Sequence, residues 1–159
     1  MSKPIKEKPE FESHLASNRQ AFHQYEILEK FEAGIVLTGA EVKSCRAKQI
    51  NLKPAYASIE SGRVVLKKCH ISPYQKAIDA STYEPERPRN LLLNSKEIAH
   101  LDRQLSEHGL TLVPLNCYLK KGKVKIELGL GRGKKVHDKR QDLKKKSQDR
   151  EISRHFRKG

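Results

Sequence analysis

Strict alternation of polar and apolar residues marks residues 123–130, which are KVKIELGL. The same period of two runs through residues 113–119, and the Gly-bearing segment 120–122 joins the two stretches. Such alternation places one face of each strand on a core and the other in water, and a short Gly-containing connection is typical of a hairpin. Pro114 interrupts the first strand and predicts an edge or a bulge there.

Two further β segments are predicted earlier in the chain. Residues 56–59 and 64–66 are rich in apolar and β-branched side chains, and Ser61-Gly62 supplies a turn between them. Residues 25–37 are predicted to form one long strand that bends near Gly34.

Two helices are predicted from their start signals. Asn94 followed by Glu97 matches an N-cap with a capping-box acid, and Gly109 is a typical helix stop. Thr38 followed by Glu41 repeats the pattern and predicts a short helix that ends near residue 48.

The resulting order is strand, short helix, hairpin, strand, helix, hairpin. Five or six short antiparallel strands with two or three helices predict a mainly β protein, an OB-like barrel that is closed or nearly closed. We expect a flexible leader over 1–17, an OB-like barrel over 18–131 and a basic tail over 132–159. The tail has few large apolar side chains, so we expect it to be disordered until it meets a partner.

Charge and composition narrow the choice of partner. Charged residues make up 33% and hydrophobic residues 36% of the chain, against roughly 25% and 45–50% in average globular domains. The net charge is +14, and residues 132–159 alone hold 12 Lys/Arg and 4 Asp/Glu. Such an excess favours a polyanion, either nucleic acid or an anionic membrane. The longest apolar runs have three residues, so we expect a soluble protein without a secretory signal or membrane span.

Catalytic chemistry finds little support in the sequence. The three cysteines are far apart and form no C-x-x-C pair, which predicts neither a metal site nor a disulfide. Cys69 and His70 are adjacent on a predicted strand and therefore point to opposite faces. Residues 129–135 are one residue too short for a phosphate loop and lack its Ser/Thr, so neither a nucleotide nor another cofactor is predicted.

The same stretch fits an RNA-binding turn, because glycines allow close approach to a phosphate and Arg132, Lys134 and Lys135 supply charge. Aromatic residues are few, which favours recognition of a folded RNA by shape and backbone over reading of single-stranded bases.

Several motifs carry a more specific signal. In chain order they are Asn18-Arg19 with His23-x-Tyr25, residues 31–44 (FEAGIVLTGAEVKS), 70–74 (HISPY), 87–93 (RPRNLLL), 109–115 (GLTLVPL) and 131–140 (GRGKKVHDKR). Together they resemble the SsrA-binding protein (SmpB) family from about residue 18 to residue 140. Cys45 replaces a more usual leucine, and Lys48-Gln49-Ile50 replaces a more usual Gly-Lys-Ala or Gly-Lys-Val.

The resemblance implies a cytoplasmic, non-catalytic protein that holds the tRNA-like domain of transfer-messenger RNA. It implies delivery to stalled ribosomes with elongation factor Tu, which is engaged through the RNA, and a tail that folds as a helix in the empty mRNA channel. No membrane and no small-molecule substrate are implied. The implied RNA-binding residues are Asn18, Arg19, His23, Tyr25, Glu32, Leu92, Arg132, Gly133, Lys134 and Lys135. Those implied for the ribosomal decoding region and mRNA channel are His137, Asp138, Lys139, Arg140, Lys144, Lys145, Lys146 and Ile152.

Physical chemistry leaves some of these roles open. Glu32 either accepts hydrogen bonds from base amino groups or begins a turn at Gly34, and Leu92 is either a core residue or a contact. A ribosomal or ribosome-assembly protein that binds rRNA is the main alternative function. An RNA-processing enzyme that uses Cys69 or His70 is a weaker one.

Overall fold

A computed structural model describes residues 13–74 and 82–134 of the 159-residue chain. Within this part of the chain it contains nine strands and three helices. The strands are β1 (Ser13–Ser17), β2 (Tyr25–Ile35), β3 (Ile50–Asn51), β4 (Tyr56–Glu60), β5 (Arg63–Lys67), β6 (His70–Ile71), β7 (Arg89–Leu92), β8 (Thr111–Lys120) and β9 (Lys123–Gly133). The helices are α1 (Arg19–Gln24), α2 (Gly39–Arg46) and α3 (Ser95–His108).

Six antiparallel strands close into a ring in the order β8, β4, β5, β7, β2, β9 and back to β8. β1 adds to this ring by pairing with the second half of β8, while β3 and β6 form a separate two-stranded ribbon. Inward side chains such as Leu66, Leu112, Ile126 and Leu128 are fully buried. The predicted mainly β, OB-like barrel is confirmed.

Both predicted hairpins are present with the expected turns. β4 and β5 meet at Ser61-Gly62, whose φ angles are 49° and 74°, and β8 and β9 meet at Lys121-Gly122, with φ angles of 51° and 72°. Two successive positive φ values define the turn that matches strand twist in two-residue hairpins. The register of β8 against β9 shifts just after Pro114, so the predicted bulge is confirmed.

The helix starts and stops follow the sequence signals. In α3, the Asn94 side chain accepts from the Glu97 backbone N–H at 2.8 Å, and Gly109 takes the left-handed conformation at φ 61°. Thr38 and Glu41 form a second capping box at the start of α2. This helix ends at residue 46, close to the predicted end.

Glu41 has a second role that anchors the loop before β7. Its carboxylate is buried and accepts hydrogen bonds from Arg87 and from the fully buried Arg89, the latter at 2.6 Å. Arg89 also donates to the backbone oxygens of Cys69 and Pro85. Burial alone would raise the pKa of Glu41, but the bonds from Arg87, the Thr38 backbone and Arg89 dominate and lower it to about 2.

The ends of the barrel differ from the predicted boundaries. Residues 13–17, expected in a flexible leader, form β1 and pair with β8 over residues 116–119. At the other end β9 continues to Gly133, so residues 132–133 belong to the barrel and not to the tail. The short helix α1 and the β3–β6 ribbon were not predicted.

Candidate nucleic-acid interface

Asn18 holds helix α1 against the outside of the barrel. Its Nδ2 donates to the backbone oxygens of Leu52 at 3.2 Å and Pro114 at 3.0 Å, while its Oδ1 accepts from the Ala21 N–H at 3.3 Å. The side chain is buried, with 3% of its surface exposed. The structure therefore gives Asn18 a positioning role, and its predicted contact with RNA would compete with these bonds.

The pairing of β2 with β9 brings the two ends of the predicted interface together. Tyr25 lies opposite Gly133 in the ladder. The Lys134 N–H donates to the Gln24 oxygen at 2.9 Å, and the Lys134 Nζ donates to the Phe22 oxygen at 3.2 Å. These bonds tie the end of β9 to the end of α1. The predicted residues that meet here, which we call the α1–β9 face, are Arg19, His23, Tyr25, Arg132, Gly133 and Lys134.

Glycines of β9 serve packing more than phosphate approach. A Cβ at Gly129 would lie 2.8 Å from Leu115 Cδ1, and one at Gly131 would lie 3.0 Å from Tyr25 Cβ. Both positions must stay small so that side chains from β2 and β8 can cross the strand. Of the three glycines of β9, only Gly133 has no heavy atom within 4 Å of an added Cβ. The predicted glycine-rich turn is thus wrong over residues 129–133, which are strand, and only Gly133 offers an open backbone.

Beside this face lies a hollow of about 490 Å³ that sequence reasoning missed. Its rim carries Tyr25, Tyr56, Lys53, Gln20 and Gln24, and Tyr56 is 37% exposed. Its floor is made by small or apolar residues, Ala21, Ala55 and Val113. Tyrosine rings offer flat faces to bases, lysine attracts phosphate, and glutamine amides can bond base edges. No local sequence pattern predicts a role for Lys53 or Tyr56, because these residues come next to α1 only when the chain folds.

Glu32 lies far from the α1–β9 face, seven residues along β2 from Tyr25. Its carboxylate accepts from Tyr118 Oη at 2.5 Å and from Lys120 Nζ at 3.2 Å. Partial burial acts to raise the pKa of Glu32, but these bonds and the nearby Lys125 lower it. Gly34 is an interior residue of β2, so the alternative that Glu32 begins a turn there is wrong.

Leu92 faces solvent, with 61% of its surface exposed. It pairs with Gly34, where an added Cβ would lie 3.4 Å from Leu92 Cβ. The interpretation of Leu92 as a core residue is therefore wrong. Lys125 also pairs with Gly34. Glu32, Leu92 and Lys125 form a second cluster, the β2–β7 face, and Lys125 is not among the residues predicted for the interface.

The cysteines do not fit a nucleophile. Cys45, Cys69 and Cys117 are all reduced and fully buried. Burial raises the pKa of Cys45 and of Cys69 to about 12, so both remain thiols at neutral pH. Within residues 13–74 and 82–134, no group of three His, Cys, Asp or Glu side chains is placed to hold a metal ion. No described helix is long and apolar enough to cross a membrane.

The remaining predicted contacts lie outside the described residues. Lys135 and the whole ribosome-directed set belong to this part of the chain, namely His137, Asp138, Lys139, Arg140, Lys144, Lys145, Lys146 and Ile152. Their roles stay predictions.

Comparison with known proteins gives consistent similarities. The sequence model of the family described as "SmpB protein" matches residues 15–158. An "SsrA-binding protein" of Microcystis aeruginosa is 51% identical over 140 residues, which are 88% of this chain and 91% of that protein. One from Carboxydothermus hydrogenoformans is 49% identical over 146 residues, 92% of this chain and 97% of that protein.

A solved structure points the same way. It is described as "tmRNA-SmpB: a journey to the center of the bacterial ribosome" and aligns with a TM-score of 0.63 at 44% identity. The alignment covers 76% of this chain and 85% of the other. Sequence and fold therefore agree over the barrel that carries both faces.

Proposed function

Because this chain belongs to the SmpB protein family, we propose that it binds the tRNA-like domain of transfer-messenger RNA and brings it to stalled ribosomes. It is an RNA-binding protein of trans-translation and not an enzyme. Its partners are that RNA and the ribosome. Elongation factor Tu joins through the RNA, and the site of action is the cytoplasm, where stalled ribosomes are.

The observation that carries this proposal is the α1–β9 face with its hollow. Arg132 is exposed near the end of β9, and Lys134 follows this strand, with its Nζ bonded to the Phe22 oxygen of α1. These cations can neutralise neighbouring phosphates of a folded RNA, and such contacts set position without reading sequence. The hollow between Tyr25 and Tyr56 adds room for an unstacked nucleotide beside the phosphates.

A charge experiment tests this face. Changing Lys134 and Lys135 together to Ala should weaken binding to a tRNA-like RNA and lower the log–log salt slope by about two, one for each lost phosphate contact. Binding isotherms at four salt concentrations measure both quantities. The control is the double change of Lys96 and Arg103 to Ala, which removes the same charge from exposed positions of α3. An unchanged slope and affinity in the first variant would remove this segment from the interface.

The tail has a separate role in the proposal. Residues 138–157 contain no Pro or Gly and many Lys, Arg, Asp, Glu and Gln, which a helix tolerates. A polyanionic groove would neutralise their charge and offset the entropy of ordering them. We therefore assign residues 138–159 to the empty mRNA channel and the decoding region of the ribosome, and not to the contact with transfer-messenger RNA.

Truncation distinguishes the role of the barrel from the role of the tail. A chain that ends after Lys135 should bind transfer-messenger RNA within a few fold of the full chain but fail to rescue stalled translation. Both activities are measured on one sample, which excludes differences in folding. Loss of RNA affinity on truncation would make the tail an RNA-binding arm and contradict the channel role.

The rival function is permanent binding of rRNA in a ribosomal or ribosome-assembly protein. Sequencing of the RNA that copurifies with the chain distinguishes the two. One small stable RNA of tRNA-like shape supports the proposal, and a spread of rRNA fragments supports the rival.

A further inference from the structure

Tyr118 is a buried tyrosine that does not belong to the core of the barrel. It is 3% exposed, yet it lies in neither of the two clusters of buried apolar side chains. Its neighbours in β8, Cys117 and Leu119, pack in or against the main cluster, and successive side chains of a strand point to opposite faces. The Tyr118 ring is therefore covered by side chains on the outer face of the sheet.

The Tyr118 side chain reaches across β9 to Glu32 on β2. Tyr118 pairs with Lys125 and Glu32 pairs with Glu127, so β9 lies between the two side chains. Two strand spacings, roughly 10 Å, separate β8 from β2. Tyr118 Oη spans them and donates to Glu32 Oε2 at 2.5 Å. This bond links three strands on the outer face.

A second carboxylate on this face is directed elsewhere. Glu127 lies directly opposite Glu32, and like charges in that position repel each other. Asn116 Nδ2 donates to Glu127 Oε1 at 3.0 Å, whereas Glu32 takes its bond from Tyr118. Different donors thus hold the two carboxylates, and the orientation of Glu32 depends on Tyr118.

The Glu32 carboxylate keeps room for a further partner. Lys120 Nζ lies 3.2 and 3.3 Å from its two oxygens, and Tyr118 bonds one of them. A carboxylate has about four acceptor positions, so these bonds leave at least one for an incoming N–H. The Glu32 side chain is 37% exposed, and Leu92 on the same β2–β7 face is 61% exposed.

We propose that Tyr118 is a positioning residue for RNA binding, whose buried hydroxyl holds the Glu32 carboxylate ionised and oriented to accept a hydrogen bond from an N–H group of an unpaired base. A carboxylate repels phosphates, so it helps to bind RNA only if it is fixed toward a donor. Tyr118 itself does not contact the RNA. The inference rests on the proposed function and deepens it, because it assigns the β2–β7 face to a base and the α1–β9 face to phosphates.

The groups around Glu32 set the charge of its carboxylate. Partial burial raises the pKa of Glu32, but the bonds from Tyr118 and Lys120 and the charges of Lys120 and Lys125 lower it below its ordinary value of 4.5. Glu127 faces it from β9 as a like charge. Burial raises the pKa of Tyr118 above 10, so its hydroxyl stays a donor. Loss of that hydroxyl should raise the pKa of Glu32 and leave more of the carboxyl protonated near pH 5.

Tyr118→Phe removes the hydroxyl and keeps the ring. At pH 7.5 the affinity for transfer-messenger RNA should fall about fivefold relative to the unmodified chain, because the bond that orients Glu32 is lost. The salt slope should stay the same, since no cation is removed. The ratio of the two affinities should grow as the pH is lowered to 5. Binding isotherms on the full chain at both pH values, with thermal unfolding of each sample, measure these effects.

Glu32→Gln separates the role of the carboxylate from that of the hydroxyl. This variant carries no charge at any pH, so its affinity deficit should be at least as large and should not change between pH 7.5 and pH 5. A chain with both Tyr118→Phe and Glu32→Gln should bind no worse than Glu32→Gln alone, because Tyr118 acts only through Glu32. Losses that add in the double variant overturn the inference.

Tyr83→Phe is the matched control. Tyr83 Oη also donates within the protein, to the Ile71 oxygen at 2.7 Å, and lies 3.4 Å from the Glu41 carboxylate. This variant should lose stability and keep its RNA affinity at both pH values. An equal affinity deficit in Tyr83→Phe would show that loss of stability is the cause, which overturns the inference.

A further variant covers the case in which Tyr118→Phe does not fold. Glu32→Asp keeps the charge at a partly exposed position but is one carbon too short to reach Tyr118 Oη. It should show the same affinity deficit, growing toward pH 5, and a deficit that does not change with pH overturns the inference.

The remaining outcomes are also decisive. Unchanged affinity in a folded Tyr118→Phe chain makes Tyr118 a packing residue, and unchanged affinity in Glu32→Gln removes the carboxylate from the interface. Either result overturns the inference and leaves the test at Lys134 and Lys135 unaffected. Failure of the unmodified chain to bind transfer-messenger RNA would instead contradict the proposed function.

Discussion

At the scale of single residues, the buried Glu41 carboxylate joins two distant parts of the chain. Its partners are Arg87, just before β7, and Arg89, the first residue of β7, while Glu41 itself lies in the first turn of α2. Removing one member of such a group would leave an unpaired charge inside the protein, which typically costs about 3–5 kcal/mol.

Glu41 should make stability depend on acid pH. Its pKa is about 2 in the folded chain against an ordinary value of 4.5, so the unfolded chain takes up the proton first as pH falls. The stabilisation is fully present above pH 4.5 and is lost between there and pH 2, with a total of about 3 kcal/mol. Urea unfolding from pH 6 to pH 2.5 measures the loss. Glu41→Gln should flatten this part of the profile, and a profile that keeps its slope in this variant would contradict the role of Glu41.

Two glycines of β9 should respond differently to alanine. A Cβ at Gly129 would press on fully buried Leu115, which has little room to move, and the free energy of unfolding should fall by about 1–3 kcal/mol. A Cβ at Gly133 meets open space, so stability should be unchanged. Thermal unfolding of both variants checks this. Any loss of RNA affinity in Gly133→Ala at unchanged stability would then report a contact, and equal destabilisation of the two variants would contradict the packing argument.

Residue roles were predictable only where they depend on near neighbours. The capping function of Glu41 follows from Thr38 three residues before it, but its arginine partners are 46 and 48 residues away. The exposure of Leu92 could not be predicted either, because a run of apolar residues does not show which side chain points out of the closed barrel. In the sequence Asn18 resembles a polar surface contact, and only its bonds to Leu52 and Pro114 reveal the burial.

At the scale of elements, β1 is a strand of only five residues that pairs with part of β8. Its buried residue is Leu15, which is 4% exposed and joins the main core. The strand pairs with β8 from Leu119 to Asn116.

Deletion of β1 should therefore destabilise the barrel. A chain that starts at residue 18 loses Leu15 from the core, which alone typically costs about 2–5 kcal/mol, and exposes backbone groups of β8. A chain that starts at residue 13 retains all of these contacts and serves as the control. Urea titration of both chains gives the difference. Equal stability would return residues 13–17 to the flexible leader that the sequence suggested.

Elements with local signals were predicted, and elements held by distant contacts were not. The hairpins and both capped helices carry their turn glycines and caps within a few residues. By contrast, β1 has only two apolar residues, Leu15 and Ala16. Helix α1 has six residues, and Asn18 fixes it through the backbone oxygens of Leu52 and Pro114. Neither element is long enough for a periodic pattern of apolar residues to be recognised in the sequence.

At the scale of the whole molecule, the fold class and the kind of partner were more accessible from sequence than the details of the interface. Alternation and turns predict the barrel, and the charge surplus predicts a polyanion. The hollow with Lys53 and Tyr56 was not accessible, because it is shaped by α1, β4 and β8, which are distant in the chain.

The ring closed by β9 also bears on how the chain is made. Tyr25 pairs with Gly133, so the last seam of the barrel joins residues that are synthesised more than a hundred codons apart. Contacts between residues so far apart in sequence form late and slowly. Until they form, the open β-sheet exposes strand edges whose backbone groups are unpaired. During translation the barrel cannot close until Gly133 has left the ribosome. A copy cut short before that point would lack the seam that presents its RNA-binding residues, so incomplete translation products of this chain should neither compete for its RNA nor escape proteolysis.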